Sequence, residues 1–202
     1  MSAAILWLRR DLRLGDNPAL QRALTAAERV IPVYIHDPEE PVPWRPGAAS
    51  DWWLHHSLTA LDLSLRARGS RLVIRRGDSL EALRTLAREA GATRVLWNRL
   101  YEPAPVARDT RVKQALREDG LRVESHNGSL LFEPWDVKKG DGGPFRVFTP
   151  FWKGCQRNGL PDDTLPAPEG LPTVPGATDS LAIGALELLP ATPWDAGLNE
   201  TW

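Results

Sequence analysis

Cysteine is nearly absent: the 202 residues hold one, Cys155. A single thiol excludes an internal disulfide and any cysteine-cluster metal site, and it fits a reducing, cytoplasmic setting. Long apolar runs are missing as well, since none approaches the ~20 residues of a membrane span. Arg9 and Arg10 interrupt the first apolar stretch before a secretory h-region is complete, so no signal peptide is expected. One segment lacks basic residues altogether. All 25 Lys and Arg lie at or before Arg157, and 158–202 holds seven acids and seven of the 18 prolines. Residues 1–157 thus carry a net +6 and the remainder −7. That composition predicts an extended acidic linker, mobile by itself for want of surface to bury.

Several motifs are also missing. No G-x-G-x-x-G follows the first apolar run, and neither G-x-x-x-x-G-K-[ST] nor H-E-x-x-H occurs, so a glycine-loop dinucleotide site, a P-loop and a zincin site are all unsupported. His55 and His56 are adjacent, which suits helix packing better than a shared metal. Cys155 has no base near it in sequence that would make it a nucleophile.

What remains is an ordinary globular composition, 42% hydrophobic and 25% charged, enough for one well-filled core. The nine tryptophans are read as core and interface packing. Ala3–Leu8, Val30–Ile35, Leu72–Ile74, Val95–Trp97 and Leu121–Val123 are short apolar runs without strict alternation, the pattern of strands buried on both faces. Amphipathic helices separate them. Leu54, Leu58, Leu61 and Leu65 form one stripe closed by Gly69, and Asp78–Glu81 reads as a capping box ahead of Leu83, Leu86 and Ala90. Five strands alternating with helices predict a doubly wound, five-stranded parallel sheet of Rossmann-like α/β type. Residues 1–135 are assigned to it, and 136–202 to an irregular segment and the linker. Across that boundary, the stretch from Leu130 to Trp152 is too apolar to leave in water.

The densest chemistry lies in Trp7-Leu8-Arg9-Arg10-Asp11-Leu12-Arg13-Leu14-Gly15-Asp16-Asn17-Pro18. It leaves the first strand and enters a helix at Asn17-Pro18, a strong cap followed by a tolerated proline. Its arginines and Asp11 therefore sit at the carboxyl end of the strand, where open α/β sheets place ligands. Loops at Asp37–Pro46 and Asn98–Pro103 converge on the same edge. Arg10, Asp11, Asp37 and Glu102 are the candidate ligand contacts: apolar walls for a ring, an arginine for an anionic tail, a carboxylate for ring N–H groups. Each also has a plainer role open to it. Arg10 and Asp11 could pair to pin the loop, Glu102 could cap the helix after Pro103, and Asp37 before Pro38 could form a turn.

Five ordered blocks resemble the amino-terminal α/β domain of the photolyase/cryptochrome flavoproteins. They are Trp7–Asn17, Pro32–Pro38, Val95–Asn98 with Tyr101–Pro103, Asn127–Leu131 and Val147–Lys153. The resemblance implies a light-harvesting antenna site in this domain and, beyond residue 202, a helical domain that holds FAD and damaged DNA. By that reading the chain lacks the catalytic domain and does not repair DNA alone. The resemblance also implies a parent that is a light-driven cyclobutane pyrimidine dimer lyase, with a cryptochrome photoreceptor as the alternative. A nucleotide-binding α/β protein unrelated to light is the third reading. Folate-holding members carry an Asn-Glu pair where this chain has Ala104-Pro105, which disfavours folate and leaves an 8-hydroxy-deazaflavin or FMN.

Overall fold

The computed structural model describes residues 2–38, 46–159, 164–176 and 178–198. Five parallel strands, β1 (Ala3–Leu8), β2 (Arg29–His36), β3 (Val73–Arg76), β4 (Ala92–Asn98) and β5 (Arg122–His126), stand in the order β3-β2-β1-β4-β5. Helices α1 (Pro18–Ala26), α2 (Ala48–Arg66), α3 (Ser79–Ala90) and α4 (Pro103–Glu118) connect them, and α5 (Phe148–Arg157) follows. The predicted doubly wound sheet is observed.

β1 explains the layering. All six of its residues are buried, and alternate side chains face opposite ways. Ala3, Ile5 and Trp7 join Leu83 and Leu86 of α3 and Val112 and Leu116 of α4 in one apolar layer. Ala4, Leu6 and Leu8 join Leu20 of α1 and Leu58, Leu61 and Leu65 of α2 in the other. α1 and α2 therefore cover one face of the sheet, and α3 and α4 the other.

Local signals start α1 and α3 as expected. The Asn17 side chain accepts from the Leu20 amide at 3.1 Å. Asp78 Oδ1 accepts from the amides of Leu80 and Glu81 at 2.9 and 3.0 Å. Gly91 closes α3 in the left-handed region at φ 59°, where a side chain would strain the backbone. His56 packs on Trp52, ring centroids 4.3 Å apart.

The acidic, proline-rich tail departs from expectation. Its described residues fold back along the domain. Asp16 donates its amide to the Leu165 carbonyl at 2.6 Å, Leu171 to Arg68 at 2.8 Å, and Leu181 to Ile74 at 3.0 Å, covering the free edge of β3. Leu171, Leu186 and Leu188 are buried in the α1/α2 layer, and Val174 in the other. A segment with little core of its own borrows one: prolines keep it extended while single apolar side chains drop into the domain. The tryptophans divide between core and surface. Trp7 and Trp97 are fully buried, whereas Trp53, Trp135 and Trp194 are exposed.

Candidate functional site

In a doubly wound sheet the crossover direction reverses once, and the loops on either side part to leave a crevice. Here that point lies between β1, followed by α1 on one face, and β4, followed by α4 on the other. The Arg9–Asp11 and Asn98–Glu102 loops flank it.

Its floor is a buried polar node. Asn98 Nδ2 donates to Asp11 Oδ2 at 2.7 Å and to Asn17 Oδ1 at 2.8 Å, while Asn98 Oδ1 accepts from the Ala19 amide at 3.1 Å. Asp11 Oδ1 accepts from the Arg9 amide at 2.9 Å. The Arg9 guanidinium donates to the Asn98 carbonyl and, at 2.8 Å, to Asp109 Oδ2. Arg108 holds the other Asp109 oxygen at 2.8 Å, and both guanidinium groups lie over the Trp7 ring, at 4.5 and 5.0 Å. Burial pushes the Arg9 pKa down, and Asp109 opposes it. Gly128 lets the loop after β5 approach, since a Cβ there would stand 2.6 Å from Asn98 Cγ.

Above the floor stands an open pair. Arg10 Nη1 donates to Glu102 Oε1, and the two side chains are 66% and 51% exposed. The Glu102 carboxyl is held below its usual range by its own backbone amide and by Arg10, against some desolvation. Glu102 occupies the cap position of α4 yet makes no capping bond, so the helix-cap role is corrected. Arg10 pairs with Glu102, and Asp11 takes its bonds from Arg9 and Asn98, so the Arg10–Asp11 pairing is corrected as well. Asp37 is half-buried at the end of β2, beside β1; residues 39–45 of its loop lie outside the described residues.

This edge does not fit a dinucleotide phosphate. The first turn of α1, which cradles the pyrophosphate in a glycine-loop site, offers no spare donor. Pro18 has none, and the amides of Ala19, Leu20 and Gln21 go to Asn98 Oδ1, Asn17 Oδ1 and the Asn17 carbonyl. At the mouth, Arg10 and Glu102 face solvent.

Two parts of this edge escaped sequence reasoning. Asp109 lies on the buried stripe Pro105, Asp109, Val112, Leu116 of α4, and an acid in step with apolar positions was the signal. Glu133 is the other. Its Oε1 accepts from Arg99 and from the Tyr101 hydroxyl at 2.9 Å, and Oε2 is buried with no partner among the described residues. Burial, reinforced by Glu133, pushes the Tyr101 pKa up to about 12. Glu133 forms part of an apolar groove of about 410 Å³ between Leu131–Pro134 and α5, which includes Phe148, Trp152 and Cys155.

Residues 4–170 match the family described as DNA photolyase. The chain is 42% identical over 200 residues to the deoxyribodipyrimidine photo-lyase of Agrobacterium fabrum, covering 98% of this chain and 41% of that protein. It is 39% identical over 204 residues to Cryptochrome-2 of Arabidopsis thaliana, covering 98% of this chain and 33% of that one. A class III photolyase structure from Agrobacterium tumefaciens superposes with a TM-score of 0.91 at 42% identity, over 100% of this chain and 42% of the other. The chain therefore spans about two fifths of the photo-lyases it resembles.

Proposed function

The chain belongs to the DNA photolyase family, and from that membership we propose that it is the amino-terminal part of a deoxyribodipyrimidine photo-lyase. Such a parent is a light-driven carbon–carbon lyase acting on cyclobutane dimers in damaged DNA. The likeness over nearly the whole chain to a photo-lyase more than twice as long is the observation that carries this reading. FAD and damaged DNA are assigned to a helical domain outside this chain, consistent with the occupied first turn of α1. Residues 1–135 are the antenna domain, and 136–202 lead onward to the helical domain, with Leu165, Leu171 and Leu181 bonded back to this one. The setting is cytoplasmic; among the described residues no helix is long and apolar enough to cross a membrane.

The antenna is placed at the mouth of the crevice. Arg10 meets the anionic tail of an 8-hydroxy-deazaflavin or FMN, Glu102 accepts from ring N–H groups, and Asp37 flanks them from β2. Asp11 holds the loop that presents Arg10. Folate is disfavoured because Ala104 and Pro105, in the first turn of α4, carry no side-chain donors or acceptors. Titrating the chain with each chromophore and following fluorescence tests this. Binding of deazaflavin or FMN supports it, and tight binding of methenyl-folate alone overturns it.

A cryptochrome parent is the second reading, favoured by the 39% identity to Cryptochrome-2. Light-dependent dimer splitting by the full-length gene product separates the two. The family match sets aside a nucleotide-binding protein unrelated to light.

A further inference from the structure

We propose that Lys113 is an acylation site, where the side-chain amine takes an acyl group from a small acyl phosphate held beside it by Arg117. The inference lies outside the light-driven reading and does not rest on it. Lysine is scarce in this chain: Lys113, Lys138, Lys139 and Lys153 are the four among 25 basic residues. Lys113 reaches from α4 to the edge strand β5, where its Nζ donates to Ser125 Oγ at 3.0 Å. Arg99, from the loop after β4, donates to the same hydroxyl at 3.3 Å and to the Ser125 carbonyl at 2.6 Å. Arg117, one turn further along α4, donates to the Val123 carbonyl at 3.1 Å. Three cations thus converge on two residues of one strand. Among the described residues Lys113 meets no carboxylate within ion-pair distance. Asp109, one turn back, is taken by Arg9 and Arg108, and Glu118 accepts from Gln114 at 2.9 Å.

This crowding favours the amine over the ammonium. Burial lowers the Lys113 pKa, Arg117 and Arg99 lower it further, and Asp109 opposes them. His126, at the end of β5, is held neutral near pH 7 chiefly by burial and so adds no opposing or supporting charge there. At pH 7.4 an ordinary lysine is neutral in about one molecule in a thousand, and each unit of lowering gives about ten times more nucleophile. A neutral Nζ that keeps one N–H on Ser125 leaves its lone pair for an incoming carbonyl carbon.

The donor has a place to sit. A cavity of about 440 Å³ lies at this amine, lined by Thr110, Lys113, Gln114, Arg117 and Glu118 on one face of α4. Arg117 is exposed and spends one N–H on Val123, so the rest of its guanidinium is left for a phosphate. In the transfer, the Nζ lone pair attacks the acyl carbon and the bond from that carbon to the phosphate oxygen breaks. Inorganic phosphate leaves beside Arg117, and the surplus proton on nitrogen passes to water. An uncharged amide replaces the ammonium, which removes its repulsion with the two guanidinium groups. Lys153 is the internal control. Arg157 follows it by four residues and both line a cavity of about 450 Å³, yet Lys153 is exposed and has no hydroxyl partner among the described residues.

Acetyl phosphate is the probe. The 202-residue chain is incubated with it at pH 7.4, and the rate at each lysine is read by mass spectrometry of the digest. Lys113 should be acetylated at least about fivefold faster than Lys138, Lys139 or Lys153. Inorganic phosphate should slow Lys113 in a saturable way and leave Lys153 unchanged. Arg117→Ala removes an exposed side chain, so its melting temperature should stay within about 2 °C of wild type. That variant should slow Lys113 with acetyl phosphate at least about threefold more than with N-acetoxysuccinimide, an uncharged donor that needs no anion site. Equal rates at the four lysines overturn the proposal. A fast Lys113 that phosphate does not slow, with Arg117→Ala affecting both donors alike, overturns it too, because the donor is then not held by Arg117.

Discussion

Asn98 and Asp11, 87 positions apart in sequence, meet at 2.7 Å and tie the end of β4 to the loop after β1. That bond closes the floor of the crevice and presents Arg10 at its mouth. Replacing Asn98 with Ala strands Asp11 Oδ2 and the Ala19 amide, leaves Asn17 Oδ1 with the Leu20 amide alone, and should cost about 3 kcal/mol of stability. Gly128→Ala should also destabilise, because its Cβ would stand 2.6 Å from Asn98 Cγ. In the Asn98→Ala background that second substitution should become cheaper by about 1 kcal/mol or more. Denaturant unfolding of the four proteins measures the coupling, and additive costs would show that the contact is unimportant.

Asp109 is the counter-charge for two guanidinium groups on one tryptophan. Asp109→Asn should lower stability by about 3–5 kcal/mol, since Arg9, 7% exposed, keeps its charge without its paired carboxylate. A double change of Arg9→Met and Asp109→Leu should cost less, as it removes the buried Arg9 charge together with its counter-charge and leaves only the Arg108 bond to Asp109 lost. Thermal unfolding followed by circular dichroism decides, and a mild Asp109→Asn would refute the assignment.

Arg10→Ala separates binding from folding. Loss of one charge-assisted bond to an anionic tail costs roughly 1.5–3 kcal/mol, or about ten- to a hundredfold in affinity. The side chain is largely exposed, so the melting temperature should stay put. A variant that binds every chromophore as wild type does would remove Arg10 from the site.

The tail should stabilise the domain. Leu186→Ala deletes a side chain buried against α2 and should cost about 2–4 kcal/mol. Thermolysin, which cuts beside leucine, should cleave 164–198 faster in that variant than in wild type. Rapid cleavage of this segment in the wild-type chain would restore the free linker.

Acid should weaken the chain before alkali does. Burial holds the pKa of His36, His55 and His126 below the usual value, so the stability they contribute is present near pH 7 and lost as pH falls below the ordinary histidine value toward their lowered ones. Glu102 and Glu124, lowered chiefly by hydrogen bonds, add a loss below the usual carboxylate value. Tyr101 acts in the other direction: pushed up to about 12, it keeps its proton while the unfolded chain ionises near pH 10. Stability should fall again between those two values, and Tyr101→Phe should remove that loss. Melting temperature against pH, with His126→Gln flattening the acid limb, is the measurement.

The amino-acid sequence by itself determined the sheet, its helices and the edge that carries the site. Those features rest on local chemistry: apolar runs for β1 to β5, the caps at Asn17 and Asp78, the stripe on α2. It also carried the family likeness, which is a matter of ordered residues. Only the tertiary structure decided which polar groups meet. Nothing local says that Asp11 bonds Asn98 at the end of β4, or that Arg10 pairs with Glu102. The tail shows the same limit. Its composition describes a segment with no core of its own, and no local rule says that Leu171, Leu186 and Leu188 drop into a core built by α1 and α2. Hydrogen bonds and apolar burial between distant segments depend on where the folded sheet brings them, so neighbours in space are set by packing.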